Sequence, residues 1–422
     1  MPAWPNNFVF IGNWEQVFLV RVIYINFIFQ TSFFDGICFS GVRSRDCFYL
    51  DYQSFKEGHA EEYSKSSQSD RRSLMSYHEV QNTKPDLRIF CKTCGIFLKS
   101  LMSHESHNVI RGIQHNFLEE PSLSLPQLDN DKFNAQYFFD QSTLDFIVSI
   151  FESLKLNKIL CIGAPRLHDF IRSKKPHLSS ILLDIDDRFE AFNHEKNFIH
   201  YNMFNNHFFN NDKDKLDDFL KDNKEDRSSH CLFSDPPFAA RTELLDDTFR
   251  KISQLFKKVN SSPKILPIFL VFPYFNECHV QKFIPEMELL DFQVSYMNHK
   301  AYHESFKGRK EGSPIRIFTN IDQRIIKYPL QYTNYRHCKP CKRFVSISNQ
   351  HCKLCRKCPS KNGATYRHCL KCKSCVKPNY IHCKNCCRCV QKSNHDCKFY
   401  QRFQICRKCS QKGHVESKCK ES

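Results

Sequence analysis

Along residues 130–325 the apolar positions switch repeatedly between helical spacing and short unbroken runs. Leu144, Ile147, Val148, Phe151 and Leu154 fall on one helical face, which predicts a helix over 141–156. Residues 158–163 form an apolar run closed by glycine, the pattern of a buried strand, and 167–172 read as the helix after it. A second strand is expected over 181–186, ending in acids, a third over 198–204, a fourth over 231–234 and a fifth over 265–272. Residues 292–297 and 315–319 are expected to close the sheet as an antiparallel pair. Repeated β-α units predict an α/β fold with a doubly wound, Rossmann-like sheet, whose ligands sit at the carboxyl ends of its strands.

Candidate chemistry falls at those ends. Gly163-Ala164-Pro165-Arg166 closes the first strand, Asp184 the second, Asn202-Met203 the third and Asp235 the fourth. A carboxylate at the end of the second strand is placed to hold ribose hydroxyls. A lone strand-end Asp is more often a helix cap, but four such sites in order imply a nucleoside cofactor, S-adenosylmethionine. The last site continues as Asp235-Pro236-Pro237-Phe238. A planar amine is a poor nucleophile because its lone pair is delocalised. The Asp235 carboxylate and the Pro236 carbonyl can accept its two N–H bonds, and the prolines fix the backbone around them. Phe238 offers a ring for an extruded base to stack on. Taken alone, the tetrapeptide is equally a strand ending in a Pro-Pro turn.

The cysteines organise the rest. Of 23 in the chain, 16 lie between Cys338 and Cys419, in C-x2-C pairs mixed with histidine, which is the pattern of zinc rather than of disulfides. His-Cys-x2-Cys begins at 337, 351, 368 and 382, and an interleaved assignment gives four sites over 335–398. They are Cys338, Cys341, His351 and Cys358; Cys352, Cys355, His368 and Cys375; Cys369, Cys372, His382 and Cys389; and Cys383, Cys386, His395 and Cys397. His337 and Cys387 are left over. With so few core aliphatics, metal binding must supply the folding energy of this stretch. Upstream, Cys91, Cys94, His104 and His107 predict a structural finger over 87–115. Downstream, Cys406, Cys409, His414 and Cys419 form a zinc knuckle over 403–420, with basic and apolar neighbours suited to single-stranded nucleic acid. Cys38 and Cys47, within 1–55, supply half of one more site, and residues 56–86 are polar enough to be a linker. Residues 1–35 follow neither period and carry no assignment.

A formal net charge of +17 points to a polyanionic partner, most simply nucleic acid. Zinc thiolates suit a reducing compartment, the cytosol or nucleus. The most apolar early stretch, residues 17–29, is broken by Arg21 and Asn26 and is too short to span a bilayer, so no membrane role is expected.

These parts, in this order, resemble the CCHC zinc-finger adenine-N6 methyltransferases of large-subunit ribosomal RNA. The resemblance rests on Asn134 to Phe139, Cys161 to His168, Asp184-Ile185-Asp186, Asn202-Met203-Phe204 and Asp235 to Phe238. It extends to Gly308-Arg309-Lys310, Ser313 to Asn320 and the cysteine array. It implies a class I methyltransferase sheet flanked by small zinc modules that bind the RNA, with the protein in nucleolus and cytoplasm. By resemblance, Gln136, Tyr137, Phe138, Phe139, Gly163, Arg166, Asp184, Asn202, Met203 and Asp235 would contact S-adenosylmethionine, and Asp235 to Phe238 would hold the adenine. The first finger of that family is of the GRF type, and Cys38 and Cys47 match only its second half. The HisCys repeats are also similar to the zinc-binding part of DHHC palmitoyltransferases. Tyr366-Arg367-His368-Cys369 stands where that activity needs Asp-His-His-Cys, and it is set aside. The alternatives are an RNA-binding protein with an inactive methyltransferase fold, or one methylating protein glutamine or DNA adenine.

Overall fold

The computed structural model describes residues 75–392 apart from 102–103, 126–135, 211, 223–228 and 299–312, together with 395 and 397. Cys38, Cys47, the knuckle (Cys406, Cys409, His414, Cys419), residues 56–74 of the expected linker and Gly308-Arg309-Lys310 lie outside the described residues.

The chain from residue 75 opens with helix α1 (Tyr77–Asn82). A reciprocal cap starts it: the Ser76 hydroxyl accepts from the Glu79 amide while the Glu79 carboxylate accepts from the Ser76 amide. This helix lies within the stretch expected as linker. Buried Arg88 holds α1 there, donating to the carbonyls of Val80, Gln81 and Ile113. Three short strands follow in the order β2-β1-β3: β1 (Ile89–Cys91), β2 (Ile96–Leu98) and β3 (Val109–Arg111). Rings of Phe90, Phe97 and Phe117 meet Phe192 of the main domain at 5.1–5.8 Å between centroids. Helices α2 (His115–Glu119) and α3 (Pro121–Ser124) complete the approach.

Helix α4 (Gln141–Ser153) begins at Asp140, whose carboxylate accepts from the Thr143 amide at 2.8 Å. The main sheet then has eight strands in the order β10-β11-β9-β8-β4-β5-β6-β7. They are β4 (Lys158–Ile162), β5 (Ser179–Asp184), β6 (Phe198–Asn202), β7 (His207–Phe208), β8 (His230–Ser234), β9 (Ile268–Pro273), β10 (Glu288–Leu290) and β11 (Ile315–Thr319). β6, β5, β4, β8 and β9 are parallel; β11 runs antiparallel between β9 and β10. Helix α5 (Pro165–Lys174) links β4 to β5; α6 (Lys213–Leu220), α7 (Thr242–Asn260) and α8 (Glu277–Phe283) follow β7, β8 and β9.

Both faces of the sheet are buried, so its strands read as unbroken apolar runs. Ile159 and Cys161 of β4, Phe233 of β8 and Val271 of β9 join the core that also holds α4 residues. Leu160, Ile162, Leu232 and Leu270 face the opposite core, with Leu245 and Phe249 of α7. One expectation is overturned: residues 292–297 form no strand of the sheet, and Glu288–Leu290 pairs with β11 instead. The period-two pattern runs through both segments. What separates them is Asp291, whose buried carboxylate turns aside to accept from the Ser346 amide and the Asn349 side chain. Beyond it the main chain pairs with residues 138–140. The β7 edge hairpin carried no signal, and the third strand stops at Asn202, whose side chain accepts from the Phe204 amide.

Downstream, three hairpins carry the HisCys repeats: β12 (Tyr335–Cys338) with β13 (Arg343–Ser346), β14 (Arg367–Cys369) with β15 (Ser374–Val376), and β16 (Tyr380–Cys383) with β17 (Arg388–Gln391). The first docks on the main domain, where Tyr335 packs on Phe292 and Tyr328, and Phe344 stacks on Tyr328 at 5.0 Å.

Candidate active site and metal centres

Strand order reverses between β4 and β8, and the crevice beyond their carboxyl ends is where such sheets bind ligands. Gly163 and Asp235 occupy those two ends. The Asp235 amide donates to the Ile162 carbonyl at 3.1 Å, locking the strand ends together. Gly163 has φ +62°, and a Cβ there would lie 2.6 Å from Met203 Cε and 3.1 Å from the Asp235 carbonyl oxygen. Glycine therefore suits the bend by its conformation and by letting Met203 and the Asp235 carbonyl approach closely. Met203 reaches it from the end of β6, its carbonyl held by the Thr248 hydroxyl of α7.

Around Asp235 the chain builds an aromatic wall. Tyr137 and Phe238 lie nearly parallel, 5.5 Å apart at 12°, and Tyr296 meets both edge-on. The Tyr296 hydroxyl donates to Asp235 Oδ1 at 3.1 Å. Burial pushes the Asp235 carboxyl well above the usual carboxylate range, and this hydrogen bond opposes the rise. Residues 136–138 are stitched to 297–298: the Phe138 amide donates to Asn298 Oδ1, Asn298 Nδ2 to the Gln136 carbonyl, and the Met297 amide to the Phe138 carbonyl. Phe138 and Phe139 are buried, so Tyr137 is the ring of that run left partly open.

On the β5 side, Asp184 is pushed up to about 7, first by burial and then by the Asp186 carboxylate. Asp186 is bound on both oxygens, by Arg188 and by Gln136 Nε2 at 2.8 Å, and its Oδ1 also caps the turn at the Arg188 amide. Arg166 is largely buried with Nη1 on Glu120 Oε2 at 2.8 Å, while its Nε is left with no hydrogen-bond partner. The Gly163 cradle, the Asp184 carboxylate and this orphaned Nε fit an adenosine-bearing, carboxylate-bearing cofactor. Asn202 serves the turn it sits in.

All five described metal sets come together with the expected membership: Cys91, Cys94, His104 and His107, then the four interleaved sets of the array, each with ligand atoms within 4.8 Å of one another. Around one zinc ion, ligand lengths give tetrahedron edges of about 3.8 Å for S···S and about 3.5 Å for S···N. The observed edges match. Cys341–Cys358 Sγ atoms lie 3.8 Å apart, Cys355–Cys375 and Cys372–Cys389 3.6 Å, and Cys383–Cys397 3.5 Å. His351, His368 and His382 present Nδ1 at 3.2 Å from a cysteine sulfur, whereas His395 presents Nε2. The residue after each second cysteine of the array, Lys342, Arg356, Lys373 and Cys387, is left-handed (φ 49–52°), the turn that Gly95 makes in the finger. Cys387 is exposed with its thiol toward the Lys384 carbonyl, and His337 packs against Phe344.

Sequence reasoning missed Tyr296, Arg188 and Glu120. Tyr296 stands 61 residues from its carboxylate, and no spacing rule links them.

A mixed sheet of this order, with five parallel strands, a glycine bend and Asp-Pro-Pro-Phe at its switch point, has the Rossmann-like architecture of the class I methyltransferase fold. Residues 130–337 match the family model described as "Probable N6-adenine methyltransferase". Three relatives share the name "rRNA N(6)-adenosine-methyltransferase ZCCHC4". The Homo sapiens protein is 41% identical over 274 residues, covering 62% of this chain and 53% of the relative. The Bos taurus protein is 40% identical over 277 residues, with coverage of 62% and 53%. The Xenopus tropicalis protein is 36% identical over 324 residues, with coverage of 72% and 66%. The chain thus spans about half to two thirds of the length of the curated relatives it matches. Among the described residues no helix is long and apolar enough to cross a membrane.

Proposed function

We propose that the protein transfers a methyl group from S-adenosylmethionine to N6 of an adenosine in large-subunit ribosomal RNA, with its zinc modules binding the RNA. The observation that carries the reading is Asp235-Pro236-Pro237-Phe238 at the switch point, beside the Gly163 bend, with Phe238 stacked on Tyr137. Asp184 and Tyr137, with the Gly163 and Met203 surroundings, would hold the cofactor, and Arg166 Nε would serve its carboxylate. When bound, that cofactor supplies an electrophilic methyl group. Asp235 and the Pro236 carbonyl accept the two amine hydrogens of adenine, which localises the nitrogen lone pair. Phe238 supports the base by stacking.

The names of the relatives support ribosomal RNA as substrate. So does the array itself, which from residue 335 to 392 carries Lys and Arg throughout and no Asp or Glu. Such a track binds phosphates, and its affinity falls with salt. A ribosomal RNA substrate would put the protein in nucleolus and cytoplasm, which imaging beside a nucleolar marker tests. The direct test of the reaction offers the purified chain labelled cofactor with ribosomal RNA, duplex DNA and protein extract. Label in RNA adenine supports the reading; label in DNA or in glutamine overturns it.

A further inference from the structure

Tyr296 is fully buried and clamped on three sides: stacked on Phe139 at 5.2 Å, and edge-on to Phe238 and Tyr137 at 5.9 and 6.0 Å. Its hydroxyl donates to Asp235 Oδ1 at 3.1 Å. We propose that Tyr296 is a positioning residue for methyl transfer: it holds Asp235 by one carboxylate oxygen and so presents the other to the exocyclic amine of the adenine. The proposal rests on the adenine-N6 reading above.

An aspartate carboxyl rotates broadly about its last torsion. A donor fixed to one oxygen sets its plane, and the segment that carries the donor is itself fixed by the bonds from Asn298 and Met297 to residues 136–138. The second effect is on charge. An ionised carboxylate only accepts hydrogen bonds, whereas a protonated one carries an O–H donor that faces the amine N–H with the wrong polarity. The titratable groups on the segments around Asp235 are Tyr137, Tyr296 and, two strands away at the end of β5, Asp184. Of these, Tyr296 hydrogen-bonds the carboxylate and stabilises its ionised, acceptor form.

The test is Tyr296→Phe in the full chain, which keeps the ring and its stacking. Single-turnover methyl transfer to ribosomal RNA is followed against pH, and the KM for RNA is measured alongside. The expected result is a loss of about tenfold or more in kcat at neutral pH, the size of one hydrogen bond to a charged group. KM stays within about twofold, and the acid limb of the profile moves up by about one pH unit. In Asp235→Asn, which has no carboxyl to titrate, that limb is absent and Tyr296→Phe adds no shift. Carboxyl 13C NMR of labelled aspartate, with Asp235 assigned by its loss in Asp235→Asn, reads the same titration without any substrate. It is expected at higher pH in Tyr296→Phe. A folded Tyr296→Phe protein with an unmoved Asp235 titration overturns the proposal, as does a loss carried by KM alone. Should the wild-type chain methylate no RNA, the adenine reading fails, while the NMR titration still decides whether Tyr296 governs Asp235.

Discussion

At Gly163 the missing Cβ lets the backbone take φ +62° with Met203 and the Asp235 carbonyl close against the bend. Alanine there would have to adopt φ +62° and place its methyl 2.6 Å from Met203 Cε. Gly163→Ala is therefore expected to weaken S-adenosylmethionine binding by at least about tenfold and to lower stability by about 1 kcal/mol or more. Calorimetric titration and a thermal melt measure the two effects. Asp184 gives a pH dependence with a definite sign. Its folded pKa, about 7, lies above the ordinary carboxylate value of 3.8, so between the two the folded state holds a proton that the unfolded state releases. Asp184 thus favours folding below about pH 4, and that contribution is lost as pH rises through 7. Ribose hydroxyls need the ionised form, so cofactor binding runs the other way. Its affinity is expected to rise by about tenfold between pH 6 and pH 8, and to lose this dependence in Asp184→Asn.

At the scale of elements, the strands of the sheet were legible because burial on both faces writes them as continuous apolar runs, and Gly163, Asp184 and Asp235 close three of them. The zinc partition was legible for a different reason. Ligand spacing within C-x2-C is a local constraint, and each set borrows its histidine and final cysteine from the next repeat in order. What stayed hidden depends on contacts between distant segments. Asp291, at the end of β10, turns its carboxylate to Ser346 of the first hairpin and to Asn349 just after it. Tyr296 lies in a segment that keeps one bond to β11, from the Val294 amide to the Ile315 carbonyl, and then pairs with residues 138–140. The α1 helix likewise looked like linker because its sequence is polar, and it is the buried Arg88 that recruits it to the finger. Arg88→Met, which leaves three carbonyls without their donor, is expected to cost about 2–4 kcal/mol and to loosen residues 75–115 first. Hydrogen exchange of that segment against the main sheet would show the difference.

Across the whole molecule, the metal sites and the sheet differ in what stabilises them. The main domain buries two apolar cores, whereas the array has a small cluster around Cys338, Val345 and Cys358. Chelation is expected to unfold the array before the sheet: metal analysis should find at least five zinc ions per chain, and after removal the cofactor site should outlast the hairpins. RNA affinity should fall steeply with salt, and charge reversal at the exposed array residues Lys353, Arg356 and Lys371 should flatten that slope without changing cofactor affinity.

The central claim is that Asp235 accepts the amine hydrogens of an adenine beside the Gly163 bend. The most direct measurement maps N6-methyladenosine on large-subunit ribosomal RNA incubated with the wild-type chain or with Asp235→Ala, with zinc content and cofactor affinity checked in both. The account predicts one methylated adenosine with the wild-type protein and none with Asp235→Ala, zinc content being equal. Undiminished methylation by a folded Asp235→Ala protein would contradict it.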